Sequence, residues 1–267
     1  MNIIAGIEYE DHGPDTGTTS KATTICLHGI GGDQTSFAPQ YQALANQFRV
    51  LSWSMPGYRN STPLPALSFA TLCEQFIRWL DALGISKAHI VGQSIGGMLA
   101  QELALRHPDR VQSLILIGTT SAFGGRDDRF KDAFLKARLT PLDQGETMGE
   151  LATRFVPEIT GPVAPETAIT SAIHSMAQVP ERTYRQIMQC LVTFNRRDEW
   201  PTMPCPTCLI AGSEDSNAPA RTMKKMADSL DGSEFHCIEG AGHLINLESV
   251  DACNDIIRRF LLKLTFS

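Results

Sequence analysis

The sequence contains no apolar run that approaches the ~20 residues needed to span a bilayer, so we expect no membrane-spanning helix. Its first residues lack both the basic start and the long apolar stretch of a secretory signal. Seven cysteines occur at irregular spacing, an odd number that does not indicate a disulfide framework. From these absences we expect a cytoplasmic protein.

Positive charge is also scarce, with 23 Lys and Arg against 29 Asp and Glu and a formal net charge of −6. Nucleic-acid-binding proteins usually have the opposite balance or a dense basic stripe, so we expect no nucleic-acid partner. No G-x-G-x-x-G or G-K-[ST] pattern is present, which argues against a phosphate-binding loop. Cys205 and Cys208 form a C-x-x-C pair, but they lead into an apolar run and lack a second pair of ligands. We therefore predict neither a metal nor a cofactor.

What the sequence does contain is an alternation of strand-like and helical patterns. Runs at 22–27, 49–53, 88–91 and 111–117 are apolar at successive positions, as in strands that are covered on both faces. Helical periodicity separates them, at 34–48, 68–83 and 98–105. This order predicts an α/β protein with a doubly wound, mostly parallel sheet.

Residues 121–200 interrupt the alternation. This segment contains amphipathic helical stretches and no convincing strand, although one crossover between parallel strands needs only about a dozen residues. We therefore predict that 121–200 form an inserted helical cap (lid), and that 1–120 and 201–267 form the core. A chain of 267 residues is long enough for one domain with such an insertion.

A turn centred on Ser94 is the most informative stretch. It reads Gly92-Gln93-Ser94-Ile95-Gly96, a G-x-S-x-G pattern with an apolar run before it and a helical run after it. A strand-to-helix turn of this kind exposes the serine hydroxyl and leaves no room for side chains two residues before and after it. We predict that Ser94 is a nucleophile.

A serine hydroxyl needs a base to attack at neutral pH, and the base needs an acid to orient it. His243 and Asp215 each follow a predicted strand, so they should lie with Ser94 at the carboxyl end of the sheet. The other histidines lie at less suitable places, and the adjacent Glu214 would point differently from Asp215. We therefore predict a catalytic triad of Ser94, His243 and Asp215.

Attack on a carbonyl group also needs two donors for the oxygen that becomes negative. The N–H of Ile95, at the start of a helix, is one candidate. The loop from His28 to Gly32 supplies the other, which we predict to be the N–H of Ile30, because glycines allow the backbone to approach a substrate closely. Ile30 and Ile95 are thus the predicted oxyanion hole.

These motifs resemble those of the capped α/β-hydrolases, a family that includes esterases, 3-oxoadipate enol-lactonases and meta-cleavage-product C–C hydrolases. The resemblance extends over nearly the full length and rests on five stretches, 28–32, 55–58, 92–97, 212–215 and 240–243. The chain differs at Arg59-Asn60-Ser61, where relatives often have Gly-x-Ser. The resemblance implies the α/β-hydrolase fold and acyl transfer at the serine.

Three interpretations of the function stay open. The one we expect is hydrolysis of a small carboxylic ester or lactone. The second is C–C hydrolysis of a diketone acid, which uses the same triad but must deliver a proton to carbon. The third is a ligand receptor on the same fold with slow or absent hydrolysis, and the complete triad argues against it. A cofactor-free perhydrolase activity and a homodimer are also compatible with the sequence.

Pocket residues are predicted from their position beside the serine or in the cap. We expect Gln93, His28, Phe123 and Trp200 to line the pocket. An acidic substrate would also need a cation, for which the cap segment offers Arg126, Arg138, Arg154, Arg196 and Arg197. Arginines on amphipathic helices usually face water, so the sequence does not choose among them.

Overall fold

The computed structural model describes residues 2–13, 23–124 and 128–265, and in these ranges the chain forms one sheet of eight strands. The strands are β1 (Asn2–Ile4), β2 (Ile7–His12), β3 (Thr23–Leu27), β4 (Arg49–Trp53), β5 (Ala88–Gln93), β6 (Val111–Ile117), β7 (Thr207–Gly212) and β8 (Glu234–Ile238). Their order across the sheet is β1-β2-β4-β3-β5-β6-β7-β8.

Strands β3 to β8 run parallel to one another, with β5 at the centre. Ile90 of β5 lies opposite Ile25 of β3 on one side and Leu114 of β6 on the other. At one edge β1 and β2 form an antiparallel hairpin with Asn2 opposite Tyr9, and β2 pairs antiparallel with β4. The predicted mostly parallel sheet is therefore confirmed, and the antiparallel part is confined to this hairpin.

Helices cover both faces of the sheet. The described residues form α1 (Ala38–Leu44), α2 (Phe69–Ala82), α3 (Ile95–Arg106), α4 (Asp128–Asp143), α5 (Met148–Ile159), α6 (Glu166–Ala177), α7 (Glu181–Leu191), α8 (Ala220–Asp228), α9 (Ile245–Glu248) and α10 (Val250–Thr265). One hydrophobic cluster includes Trp79 of α2 and Leu103 of α3, and a second includes Leu44 of α1 and Phe260 of α10. Burial on both faces explains why the central strands are apolar at successive positions. None of the described helices combines the length and the apolar character needed to cross a bilayer.

The ends of α2 show how local sequence sets an element. Ser68 precedes the helix, and its Oγ accepts a hydrogen bond from the N–H of Thr71 at 3.2 Å, while Thr71 Oγ1 accepts from the N–H of Ser68 at 3.0 Å. Gly84 follows the helix with φ of +68°, a left-handed conformation that favours glycine. Ser68 and Gly84 therefore define the beginning and the end of α2.

Helices α4 to α7 lie between β6 and β7. The two ends of this inserted segment run side by side, since the N–H of Phe123 donates to the carbonyl of Phe194 at 2.9 Å and the N–H of Arg196 donates to that of Ser121 at 2.7 Å. Arg196 also forms an ion pair with Glu102 of α3, with Nε 2.8 Å from Oε1. The chain thus leaves the sheet after β6 and returns at an adjacent point.

The C-x-x-C pair lies at the start of β7, where Cys208 is buried and Cys205 is half-buried. Burial raises the pKa of Cys205 to about 11 and raises the pKa of Cys208 well above its usual range. Both thiols are therefore protonated and unreactive at neutral pH, which agrees with a packing role for the pair.

Candidate active site

The turn between β5 and α3 holds Ser94 in a strained conformation, with φ of 54° and ψ of −121°. Positive φ is uncommon for a residue with a side chain, and such strain occurs mainly at functional sites. A Cβ added to Gly92 would lie 2.4 Å from the carbonyl oxygen of Gly96, and one added to Gly96 would lie 2.1 Å from that of Leu27. The two glycines are required because the backbone packs too closely for any side chain.

His243 and Asp215 lie beside this serine. His243 Nε2 is 3.0 Å from Ser94 Oγ, and His243 Nδ1 is 2.8 Å from Asp215 Oδ2. An ionised carboxylate can only accept, so Nδ1 carries the ring proton and Nε2 is left to accept the serine hydroxyl. The structure thus brings together all three residues that the sequence singled out, in the order that proton transfer requires.

The carboxylate of Asp215 is buried, and every one of its contacts favours the ionised form. Burial alone would raise the pKa of Asp215, but His243 and the backbone N–H groups of Ala218 and Asn217 outweigh it and lower that pKa below its usual value. Both N–H groups donate to Oδ1, at 3.0 Å and 2.8 Å, which leaves Oδ2 for the imidazole. Asp215 is therefore a fixed negative charge behind His243 at neutral pH.

The backbone N–H groups of Ile30 and Ile95 donate to no acceptor among the described residues. His28 orients the first of them. Its Nε2 accepts from the N–H of Met55 at 2.9 Å, so its Nδ1 carries the proton and donates to the carbonyl of Gly29 at 2.7 Å. That carbonyl and the Ile30 N–H belong to the same planar peptide group, so holding one fixes the direction of the other.

His28 itself is fully buried, although it reaches the wall of the cavity described below. Burial lowers the pKa of His28 below its usual value, so the ring is neutral. A neutral ring is what its two contacts require, because Nε2 must accept while Nδ1 donates. We predicted His28 as a pocket residue, and the structure gives its side chain the further task of holding the Ile30 peptide.

The loop before Ser61 has an arginine, Arg59, at the first position of the Gly-x-Ser pattern. Arg59 has φ of +48°, the left-handed conformation that a glycine adopts freely. Its Nε lies 2.6 Å from Asp33 Oδ2, an ion pair with a buried carboxylate that also caps the 3₁₀ turn Gln34–Phe37. This ion pair offsets the conformational cost at a position where a glycine would carry none.

A cavity of about 450 Å³ opens directly in front of Ser94. Its walls come from the carboxyl end of the sheet and from the inserted helices, and they include Gln93, Phe123, Phe134, Phe155, Met176 and Met188. Apolar walls of this size are typical of sites that bind small organic molecules. Gln93 and Phe123 therefore lie where the sequence placed them.

Trp200 does not line this cavity in the part of the chain that the structure describes. Its ring is buried in the core, and its indole N–H donates to the carbonyl of Met226 at 2.8 Å. The expectation that Trp200 forms a pocket wall is wrong, because a large aromatic side chain serves the core as well as it serves a pocket.

The structure distinguishes among the five arginines that the sequence offered as candidate cations for the pocket. Arg138 lines the cavity. Arg154 and Arg196 are committed to carboxylates outside it, Glu146 and Glu102. Arg197 donates to the backbone carbonyl of Gly124 at 3.2 Å. Arg126 lies outside the described residues.

A further residue, Glu248, supports the histidine loop and was not predicted. Its Oε2 accepts from the N–H groups of Gly242 and Gly161, both at 2.7 Å, and its Oε1 accepts from the N–H of Leu244 at 2.8 Å. His243 is thus held between two residues that the same carboxylate binds. Its own N–H donates to the carbonyl of Ile159 at 2.7 Å, at the end of α5.

Glu248→Gln is expected to lower the free energy of unfolding by roughly 1–3 kcal/mol, because the glutamine NH₂ leaves at least one buried N–H without an acceptor. We also expect kcat to fall by about tenfold, since the imidazole loses part of its support. Urea unfolding and steady-state kinetics measure the two effects. Glu239→Gln is the control, because Glu239 is exposed in the same loop. Equal behaviour of the two variants would show that Glu248 does not position His243.

Comparison with protein families matches residues 24–148 to the model of the alpha/beta hydrolase fold. Among curated proteins, the chain is 28% identical over 264 residues to "Putative carbamate hydrolase RutD" of Caulobacter sp. (strain K31). That alignment covers 97% of this chain and 96% of the relative. The similarity therefore extends well beyond the residues that the family model matches.

Solved structures are similar over the same length. A hydrolase from Pseudomonas aeruginosa PA01 is 26% identical with a TM-score of 0.84, covering 96% of this chain and 94% of that one. The enol-lactonase from Burkholderia xenovorans LB400 is 23% identical with a TM-score of 0.86, and 96% of each chain is covered. At this coverage the likeness in fold includes the inserted helices as well as the sheet.

Proposed function

We propose that this chain, which belongs to the α/β-hydrolase family, hydrolyses a small carboxylic ester or lactone through an acyl-enzyme on Ser94. The observation that carries the proposal is the continuous path from Ser94 Oγ through both ring nitrogens of His243 to Asp215. The path begins at a hydroxyl that faces a cavity, which supports a catalytic role for the three residues.

In the first step Ser94 Oγ attacks the carbonyl carbon while His243 Nε2 takes its proton. The N–H groups of Ile30 and Ile95 bind the oxygen as it becomes negative, and one such donor is typically worth ~10²–10³-fold in rate. His243 then gives its proton to the leaving oxygen. In the second half of the reaction His243 takes a proton from the water that attacks the acyl carbon, and it returns this proton to Ser94 Oγ as the acid is released. General base catalysis of this kind contributes ~10²–10⁴-fold.

We further propose that residues 121–200 act as a cap over this site, with 1–120 and 201–267 as the catalytic core. Support comes from the cavity, whose walls include Phe134 of α4, Phe155 of α5 and Met188 of α7 as well as residues of the sheet end. A cap in this position excludes water and selects the substrate, while the core supplies the chemistry.

The size of the cavity supports an ester or lactone with an apolar portion. A volume of about 450 Å³ is large for a free carbamate, although the relative from Caulobacter is named a carbamate hydrolase. A carbamate ester contains the same type of carbonyl carbon and is open to the same attack. Carbamate esters therefore belong in the substrate panel beside carboxylic esters.

The test is a panel of p-nitrophenyl acetate, p-nitrophenyl butyrate, an enol-lactone, a phenyl carbamate and a vinylogous diketone acid. We expect turnover of the esters or the lactone, and acid quenching should leave the acyl group on the peptide that contains Ser94, as mass spectrometry would detect. Cleavage of the diketone acid alone would favour the C–C hydrolase. Binding without turnover would favour a receptor, and acylation of another residue would contradict the proposal.

A further inference from the structure

The cavity in front of Ser94 carries a single formal charge within the described residues, and that charge is positive. Histidines apart, its lining includes Arg138 but no lysine, aspartate or glutamate. The chain as a whole has a net charge of −6, so a positive cavity wall does not follow from composition. The charge therefore marks a specific position on an otherwise apolar and hydroxyl-bearing surface.

Arg138 lies on α4 with its guanidinium stacked against aromatic rings. Its Cζ is 4.0 Å from the ring centre of Phe155 and 5.5 Å from that of Phe134. In the described part of the chain no side chain forms a hydrogen bond or an ion pair with the Arg138 guanidinium. The exposed Glu158 attracts this guanidinium, but from farther away than an ion pair. Its hydrogen-bond donors are free to bind an anion.

Burial lowers the pKa of Arg138 below its usual value, although the side chain stays charged at neutral pH. A half-buried guanidinium has lost part of its contact with water, and no described carboxylate takes the place of that water. Stacking on aromatic faces holds its plane in one orientation, which prepares it for a bidentate contact with a planar anion. A carboxylate is the group that matches this arrangement best.

Tyr184 of α7 lies close enough to Arg138 for the two to interact electrostatically, and it also lines the cavity. Burial raises the pKa of Tyr184 above its usual value, so its hydroxyl keeps its proton. No described residue forms a hydrogen bond with this hydroxyl. The cavity wall thus includes two donors without a described acceptor, one charged and one neutral, and both suit an anionic ligand.

We propose that Arg138 and Tyr184 form a carboxylate-binding subsite, and that the substrate is an ester or lactone that also carries a carboxylate. This proposal rests on the function proposed above and narrows its substrate class. The two donors come from α4 and α7, so the inserted segment selects the acidic end of the substrate while the core attacks the ester carbonyl. Because the guanidinium is a permanent charge, the preference holds wherever the substrate acid is ionised.

The experiment compares p-nitrophenyl hydrogen esters of succinic, glutaric and adipic acids with p-nitrophenyl esters of butyric, pentanoic and hexanoic acids. The two series differ only by a terminal carboxylate in place of a methyl group. We expect the wild-type protein to favour the acidic ester by at least tenfold in kcat/KM at one chain length. Arg138→Gln should lose about 10- to 100-fold more on that ester than on its neutral counterpart, as the loss of a charge-assisted hydrogen bond implies.

Arg154→Gln is the matched control, because it removes the same charge from a neighbouring helix at a residue that pairs with Glu146 outside the cavity. It should keep the wild-type preference, and Tyr184→Phe should weaken that preference less than Arg138→Gln does.

Equal losses on both ester series in Arg138→Gln would overturn the subsite. If Arg138→Gln does not fold, the subsite is tested by measuring the preference for acidic esters in Arg138→Lys and in the wild-type protein. Wild-type turnover of neutral esters without any charge preference contradicts the subsite alone, whereas no turnover of either series contradicts the proposed function itself.

Discussion

Ser94→Ala is expected to lower kcat/KM for ester hydrolysis by about 10⁴- to 10⁶-fold, because Ser94 carries the hydroxyl that is hydrogen-bonded to the base, and no other described residue places a hydroxyl there. The fold should persist. An alanine at this position can keep the strained backbone of the turn as well as serine does, and neighbouring residues hold residue 94 through its backbone atoms. Thr119 Oγ1, for example, donates to the carbonyl oxygen of residue 94 at 2.7 Å.

A spectrophotometric assay of p-nitrophenol release measures the loss, and thermal unfolding checks that the variant is folded. Ser216→Ala is the control, since Ser216 also lines the cavity but lies away from the imidazole–serine hydrogen bond. Residual catalysis of about 10³-fold over water is compatible with the mechanism, because the oxyanion donors and the cavity remain. Near wild-type hydrolysis by Ser94→Ala across a panel of short-chain esters would end the assignment.

The parallel part of the fold could be predicted because its strands carry a simple signal. Every residue of β5 and of β7 is buried, so both strands are mostly apolar and lack a regular alternation of apolar and polar residues. The hairpin of β1 and β2 has a weaker apolar pattern, since β1 lies at the edge of the sheet and its Ile3 is 47% exposed. A strand is therefore easier to predict from sequence when neighbouring elements cover both of its faces.

The three central residues of the site could be predicted from the G-x-S-x-G turn together with the positions of strand ends. Asp215 follows β7 and His243 follows β8, and these strands are neighbours in the sheet, so residues 28 positions apart in sequence meet in space. Ser94 follows β5 at the same edge. Parallel strands therefore convert separate sequence positions into one cluster, and no knowledge of side-chain packing is needed.

The supporting residues could not be predicted, because their roles depend on how distant segments pack. Glu248 acquires its role only when Gly161, 87 residues earlier, reaches the histidine loop. Arg138 differs from Arg154 by the absence or presence of a carboxylate partner, which the periodicity of α4 and α5 does not encode. The prediction for Trp200 is wrong because its position also depends on a distant segment: its indole N–H donates to a backbone carbonyl of α8.

Asp215→Asn is expected to lower kcat by about 10⁴-fold, through the tautomer of the histidine more than through lost charge. An asparagine has one oxygen, and the N–H groups of Asn217 and Ala218 already converge on one side of the present carboxylate. The amide oxygen would take those two donors and turn the NH₂ group toward His243 Nδ1. The ring proton would then move to Nε2, which could no longer accept the proton of Ser94.

Glu214→Gln makes the same chemical change at the adjacent residue, which is exposed and accepts from Ser213 Oγ at 3.0 Å instead of contacting the imidazole. It should leave kcat within about twofold of wild type, because exposed surface substitutions rarely matter more. Raising the pH should partly restore Asp215→Asn, since hydroxide can replace the missing base, whereas Glu214→Gln should keep the wild-type pH profile. Comparable losses in both variants would mean that negative charge near the loop matters and not the Asp215 contact, and the choice of Asp215 as the acid would then be wrong.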